Sequence, residues 1–138
     1  MKEYVLDANV VLRYFAVSEG QGTNKVRALF EQAERGQARL SMSVINLGEV
    51  LYVLLKHVGE ARARHYVQVL QHVATMVEAD AAQALGAAER KQKYKLGYAG
   101  SFAATLSLTL KATLVSADPG FENLGKTLKW LRLPKFAQ

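Results

Sequence analysis

The chain has 138 residues, 50% hydrophobic and 22% charged, which suits one globular domain over residues 1–138 with a single core that buries about two thirds of its unfolded surface. The absence of cysteine excludes a disulfide framework and thiolate metal sites, leaves any metal to oxygen or imidazole ligands, and fits a cytoplasmic setting. Eighteen Lys plus Arg against twelve Asp plus Glu, a net charge of +6, favour a polyanionic partner without requiring one, and the first apolar run, broken by Asp7 and Arg13, is neither a secretion signal nor the roughly 20-residue span that a membrane demands.

In chain order, "EYVLD" reads as a short apolar strand closed by an acid, and "VVLRYF" begins a helix. "NKVRALFEQAERG" is a clearer helix, with Val26, Leu29, Phe30 and Ala33 on one face and Gly36 as its stop. A second strand, "ARLSMS", hands over at Ser43, a suitable cap for the helix "VINLGEVLYVLLKHVG" that Gly59 punctuates. "ARARHYVQVLQHV" is helical, "TMVE" is a short strand, and "DAAQALGAAERKQKYKLG" is a helix that starts at an acidic cap and runs to Gly97. The small-residue helix around "GSFAATLSL", the strand "ATLVS", the turn "ADPG" and a last strand "TLKWLRL" complete the chain, with no repeat or linker. Strands separated by helices predict a small parallel sheet covered on both faces, a three-layer α/β/α fold.

Ligands of such sheets bind outside the carboxyl ends of the strands, so acids at strand ends carry the interest. Asp7 closes the first strand and Asp118 closely follows "ATLVS". Each has a plainer use: Asp7 as a helix cap, and Asp118 as the first residue of an Asp-Pro-Gly turn. Glu49 is odder, because the residues one helical turn away are Ile45, Asn46, Tyr52 and Val53, with no cation at pairing distance. A carboxylate on so apolar a helix either protonates, finds a cation, or marks the edge of an interface. Three acids gathered at one sheet edge repel one another, and a hard divalent cation, Mg²⁺ or Mn²⁺, stabilises such a cluster and activates water at phosphorus. Phosphodiester hydrolysis by that route needs no nucleophilic side chain, in keeping with a chain that has no nucleophile elbow, Walker loop or HExxH motif. His57, His65 and His72 have no metal-ligand spacing and read as helix surface or edge residues.

The stretches "YVLDANVVLRYF", "SVINLGEVLYVLLK" and "YAGSFAATLSLTLKATLVSADPGFENL", taken in order, resemble the successive motifs of PIN domains, specifically of the VapC-type toxin ribonucleases. That resemblance implies a small parallel sheet with four acids that bind Mg²⁺ or Mn²⁺ and cut RNA. It makes Asp7 the first acid, Glu49 the second and Asp118 the fourth, all three catalytic metal ligands, with Asn9 and Ser116 in supporting polar positions. The third acid falls on Gly100, so the resemblance implies a metal-dependent endoribonuclease whose activity is impaired in the present sequence. Read from the residues alone, Gly100 is an acceptable helix N-cap. The resemblance also implies an RNA substrate, a homodimer and a VapB-like antitoxin whose C-terminal segment occupies the acidic site.

Arg13 and the run Arg90, Lys91, Lys93 and Lys95 either line a groove for RNA phosphates or form solvated helix faces. Arg13, Lys93 and Lys95 are the candidate RNA contacts, and Tyr94 and Tyr98 are either stacking or packing residues. The alternative from another class is a non-catalytic PIN module that binds RNA or a protein while its acids act as caps and turns. A receiver-like signalling domain gives Glu49 no role.

Overall fold

The computed structural model of the chain describes residues 1–16 and 23–134. Its elements are β1 (Lys2–Leu6), α1 (Ala8–Ala16), α2 (Thr23–Glu34), β2 (Ala38–Ser43), α3 (Val44–Val58), α4 (Glu60–Val73), β3 (Thr75–Val77), α5 (Ala81–Tyr94), α6 (Tyr98–Leu110), β4 (Thr113–Ser116), a 3₁₀ segment (Pro119–Thr127) broken at Gly125, and β5 (Trp130–Arg132). The strands form one sheet in the order β3-β2-β1-β4-β5, and all four pairings are parallel. β1 lies between β2 and β4, so the chain winds outward one way to β3 and then returns to the other side of β1. The order therefore reverses between β1 and β4, the place where open α/β sheets form a crevice at their carboxyl ends.

Successive strand residues face opposite layers, which explains why these strands read as continuous apolar runs. In β1, Leu6 joins a core with Leu40, Met42, Val50, Leu54 and Val115, packed under α1 to α4. Its neighbour Val5 joins a second core with Ala103, Ala104, Leu106, Leu114 and Phe121, under α6 and the 3₁₀ segment. The result is the three-layer α/β/α architecture expected from the alternation of elements.

Helix α6 is the buried one, with every residue from Ser101 to Ser107 inside. It tolerates its hydroxyls because they turn back on its own carbonyls: Thr105 donates to Ser101 O at 2.7 Å and Ser107 to Ala103 O at 2.8 Å. Two boundaries differ from the sequence reading. Helix α5 ends at Lys95, which takes the left-handed conformation (φ 57°), rather than at Gly97. Gly97, in extended conformation, is instead the N-cap of α6. The last strand is confined to Trp130–Arg132, because the residues before it complete the 3₁₀ segment and its cap at Leu128. Among the described residues no helix is long and apolar enough to cross a membrane.

Candidate active site

β1 delivers Asp7 to the reversal point, where its N–H donates to Val115 O at 3.1 Å and extends the β1–β4 ladder by one residue. The side chain is only 5% exposed. Its Oδ1 accepts the Ala8 N–H at 2.9 Å, and its Oδ2 accepts the Ser116 hydroxyl at 2.8 Å and the Asn9 amide at 3.1 Å. Ser116, fully buried at the end of β4, also accepts from Asn9 Nδ2 at 3.1 Å and from the Asp118 N–H at 3.0 Å. Asn9 Oδ1 in turn accepts the Ala117 N–H at 3.2 Å. One polar network thus ties the β1–α1 corner to the end of β4 and fixes the Asp7 rotamer. Asp118 opens the Asp-Pro-Gly turn read from the sequence and caps the 3₁₀ segment that follows, its Oδ1 accepting the Gly120 N–H at 2.9 Å.

Glu49 reaches the same place from α3. Asp7, Asn9, Glu49 and Asp118 line one cavity of about 230 Å³, closed on its far side by Gly97, Tyr98, Ala99 and Gly100 of the α5–α6 corner. Burial pushes the Asp7 carboxyl up to about 6; the Ser116 and Ala8 hydrogen bonds oppose that rise, and the charges of Glu49 and Asp118 add to it. Glu49 is exposed as a residue rather than half-sunk in an apolar surface. Partial desolvation still raises its carboxyl above the ordinary value, against the effect of the neighbouring Asn46 amide. Because the residue is largely wet, solvent screens its coupling to the other acids.

Gly100 is the third residue of α6, inside the first turn and not at the N-cap. A β-carbon there would lie 3.3 Å from Phe121 Cζ, so an aspartate fits once that ring gives by a few tenths of an ångström. No acid stands in the first turn of α6 and Gly97 offers no side-chain cap, which leaves the helix's positive end facing the carboxylates.

The basic candidates separate. Arg13 does not line a groove: it is 2% exposed and donates to the Pro134 carbonyl. Charge placed it on the RNA side, whereas the inward face of α1 holds it. Lys93 lies over the Tyr94 ring at 5.2 Å and lines neither the acidic cavity nor its neighbour. Lys95 lines a hollow that adjoins the acidic cavity through Tyr98. Arg90 is committed to Gly86 O at 3.3 Å. His57, His65 and His72 are exposed on helices. Asn46 was not singled out from the sequence: fully buried, it donates to Ala99 O at 2.9 Å and ties α3 to the first turn of α6. Its only sequence signal is an amide one turn before Glu49 on an apolar helix.

An all-oxygen set of carboxylates suits a hard divalent cation, which would offset the burial that chiefly raises Asp7 and the smaller repulsion from Glu49 and Asp118. In number the set falls short: among the described residues no three His, Cys, Asp or Glu side chains converge closely enough to hold a metal ion together. The residues fit the cation in kind, and Gly100, which lines the same cavity, supplies no ligand to it.

A parallel sheet with this strand order and acids at its reversal point defines an open α/β domain with a crevice at the carboxyl ends of its strands. The sequence matches the PIN domain family over residues 4–127, and the chain belongs to that family. No curated protein matches it. Among solved structures it is similar to VapBC2 from Rickettsia felis bound to a DNA fragment from its promoter (TM-score 0.74, 15% identity, 95% of this chain and 98% of that one). A DNA-bound VapBC from Salmonella typhimurium is similar at TM-score 0.73 and 14% identity over 96% and 98% of the two chains. VapC20 of Mycobacterium tuberculosis, a sarcin-ricin loop cleaving toxin, is similar at TM-score 0.71 and 13% identity over 88% and 95%. These likenesses establish the fold.

Proposed function

We propose that the chain is a VapC-type toxin, a metal-dependent endoribonuclease in its parent form that is impaired here because Gly100 stands in place of a third acid. The observation that carries the reading is the gathering of Asp7, Glu49 and Asp118 around one cavity at the carboxyl edge of a PIN fold. Asp7, Asp118 and Glu49 would hold Mg²⁺ or Mn²⁺, which when bound supplies an activated water and charge neutralisation at a phosphodiester. Asn9 and Ser116 fix the Asp7 carboxylate through the bonds described. Glu49, open to solvent, orients a water toward the phosphorus. Without the cation, the acidic cluster also suits the arginine of a VapB-like antitoxin segment, whose planar fork pairs with carboxylates. The structural neighbours from Rickettsia felis and Salmonella typhimurium are VapBC structures bound to DNA, which supports a VapB-like partner; the homodimer is carried by the resemblance to VapC-type toxins.

The lack of a converged three-ligand group favours a second reading, a non-catalytic PIN module that binds RNA or a protein. RNA cleavage with added Mn²⁺ decides between them, comparing the unaltered chain, Gly100→Asp, and Asp7→Asn within the Gly100→Asp background. Cleavage gained with the aspartate and lost with Asp7→Asn supports the impaired ribonuclease. Silence from all three across a panel of structured and unstructured RNAs moves the binding module ahead.

A further inference from the structure

We infer that Tyr98 and Lys95 form the entry track of the site, with Tyr98 stacking on an unpaired base and Lys95 holding an adjacent phosphate of single-stranded RNA. This rests on the ribonuclease reading above and adds two contact residues and the side from which the substrate approaches.

Tyr98 opens α6 and is 53% exposed, while its ring meets the buried Phe102 nearly perpendicularly at 5.1 Å. The ring is therefore anchored without being covered. It lines two cavities at once: the acidic one, and an adjoining open hollow of about 560 Å³ walled by Ala88, Lys91, Gln92, Lys95 and Leu96. Lys91 is occupied in that wall, its ammonium donating to Leu96 O at 3.1 Å. Lys95 is exposed, and the left-handed turn that ends α5 sets its backbone.

Three carboxylates alone repel a polyanion, so a nucleic acid reaches them only if a neighbouring surface attracts it. A free lysine and an aromatic ring next to the acids supply that attraction in the two forms RNA accepts, phosphate neutralisation and base stacking. Every base has a π-face, so stacking on Tyr98 tolerates sequence but requires a base that is free of a duplex.

The test is fluorescence anisotropy in Mn²⁺ with a single-stranded RNA 12-mer and the same strand in a duplex, for the unaltered chain, Tyr98→Ala, Tyr98→Phe and Lys95→Gln. Tyr98→Ala should weaken single-strand binding about tenfold, with Tyr98→Phe close to the unaltered chain and the duplex insensitive to both. Lys95→Gln should reduce the slope of log affinity against log salt by about 0.7. If Tyr98→Ala binds single strands as the unaltered chain does, the inference falls, while cleavage by Gly100→Asp still upholds the ribonuclease. If the unaltered chain binds no RNA and Gly100→Asp cleaves none, both fall together.

Discussion

Burial carries the Asp7 carboxyl from 3.8 up to about 6, so in metal-free protein the folded state holds its proton more tightly than the unfolded chain does. The sign follows: stability is full below pH 3.8 and falls as pH rises from there through about 6. Removing the charge with Asp7→Asn should therefore stabilise the metal-free protein at pH 7.5. A shift of about two units sets a ceiling near 3 kcal/mol, and the new amide facing the Asn9 donor reduces the expected gain to about 1 kcal/mol. Urea denaturation in chelator at pH 7.5 and pH 4 measures it, and a gain that is the same at both pH values would show that Asp7 does not titrate as described. Gly100→Asp acts the other way around. An acid in the first helical turn gains about 0.3–1 kcal/mol from the helix dipole, offset by Phe121 at 3.3 Å and by the acids across the cavity. Its metal-free melting temperature should stay near that of the unaltered chain, whereas Mn²⁺ at a hundred times its dissociation constant should add about 2.7 kcal/mol. Thermal melts with and without Mn²⁺ check this. At this scale the sequence exposed the acids, because charged residues at strand ends and on apolar helices stand out. It misplaced Arg13, because charge does not say which face of a helix turns inward, and it passed over Asn46, whose role exists only once α6 lies against α3.

Caps separate what single elements contribute from what the site needs. Asp80 caps α5, its side chain accepting the Gln83 N–H at 2.8 Å on the surface. Asp80→Ala should cost about 1 kcal/mol in denaturant titrations and leave RNA affinity unchanged, since Asp80 lines neither the acidic cavity nor its neighbour. Asn46→Ala belongs to a different class: it deletes the tie to Ala99 O and should cost about 1–2 kcal/mol. In the Gly100→Asp background it should also lower the cleavage rate, because it releases the first turn of α6 that faces Glu49. A rate unchanged by Asn46→Ala would make that tie purely structural. Element boundaries were legible where the chemistry of the residue dictates them: Ser43 as the cap of α3, Asp80 as the cap of α5, and Gly36 with φ 72° after α2. They were not legible at Lys95, since a lysine in the left-handed region carries no sequence signal.

At the scale of the molecule, alternation of strands and helices dictates a covered parallel sheet, but it does not say which strand is central. That order is set by how β4 returns beside β1, and through it Asp7 and Asp118 meet. The same assembly leaves one face of α3 open. Gly48, Glu49, Tyr52, Leu55 and Lys56 are exposed, with Tyr52 at 68% and Leu55 at 38%, and Val69 of the adjoining α4 also at 38%. The strip begins at the acidic cavity and becomes apolar away from it, so a chain covering the apolar end also flanks Glu49. In the proposed homodimer these apolar side chains would face a second copy. Sedimentation velocity should then show a dimer for the unaltered chain and a monomer for Tyr52→Arg with Leu55→Arg. Tyr52 is largely in water in the monomer and Leu55 partly so, so the double variant should still unfold cooperatively, with a midpoint lowered by the lost dimer linkage and by the covered part of Leu55. A dimer that persists through the double change would move the self-contact elsewhere and leave the α3 strip to a partner of another kind.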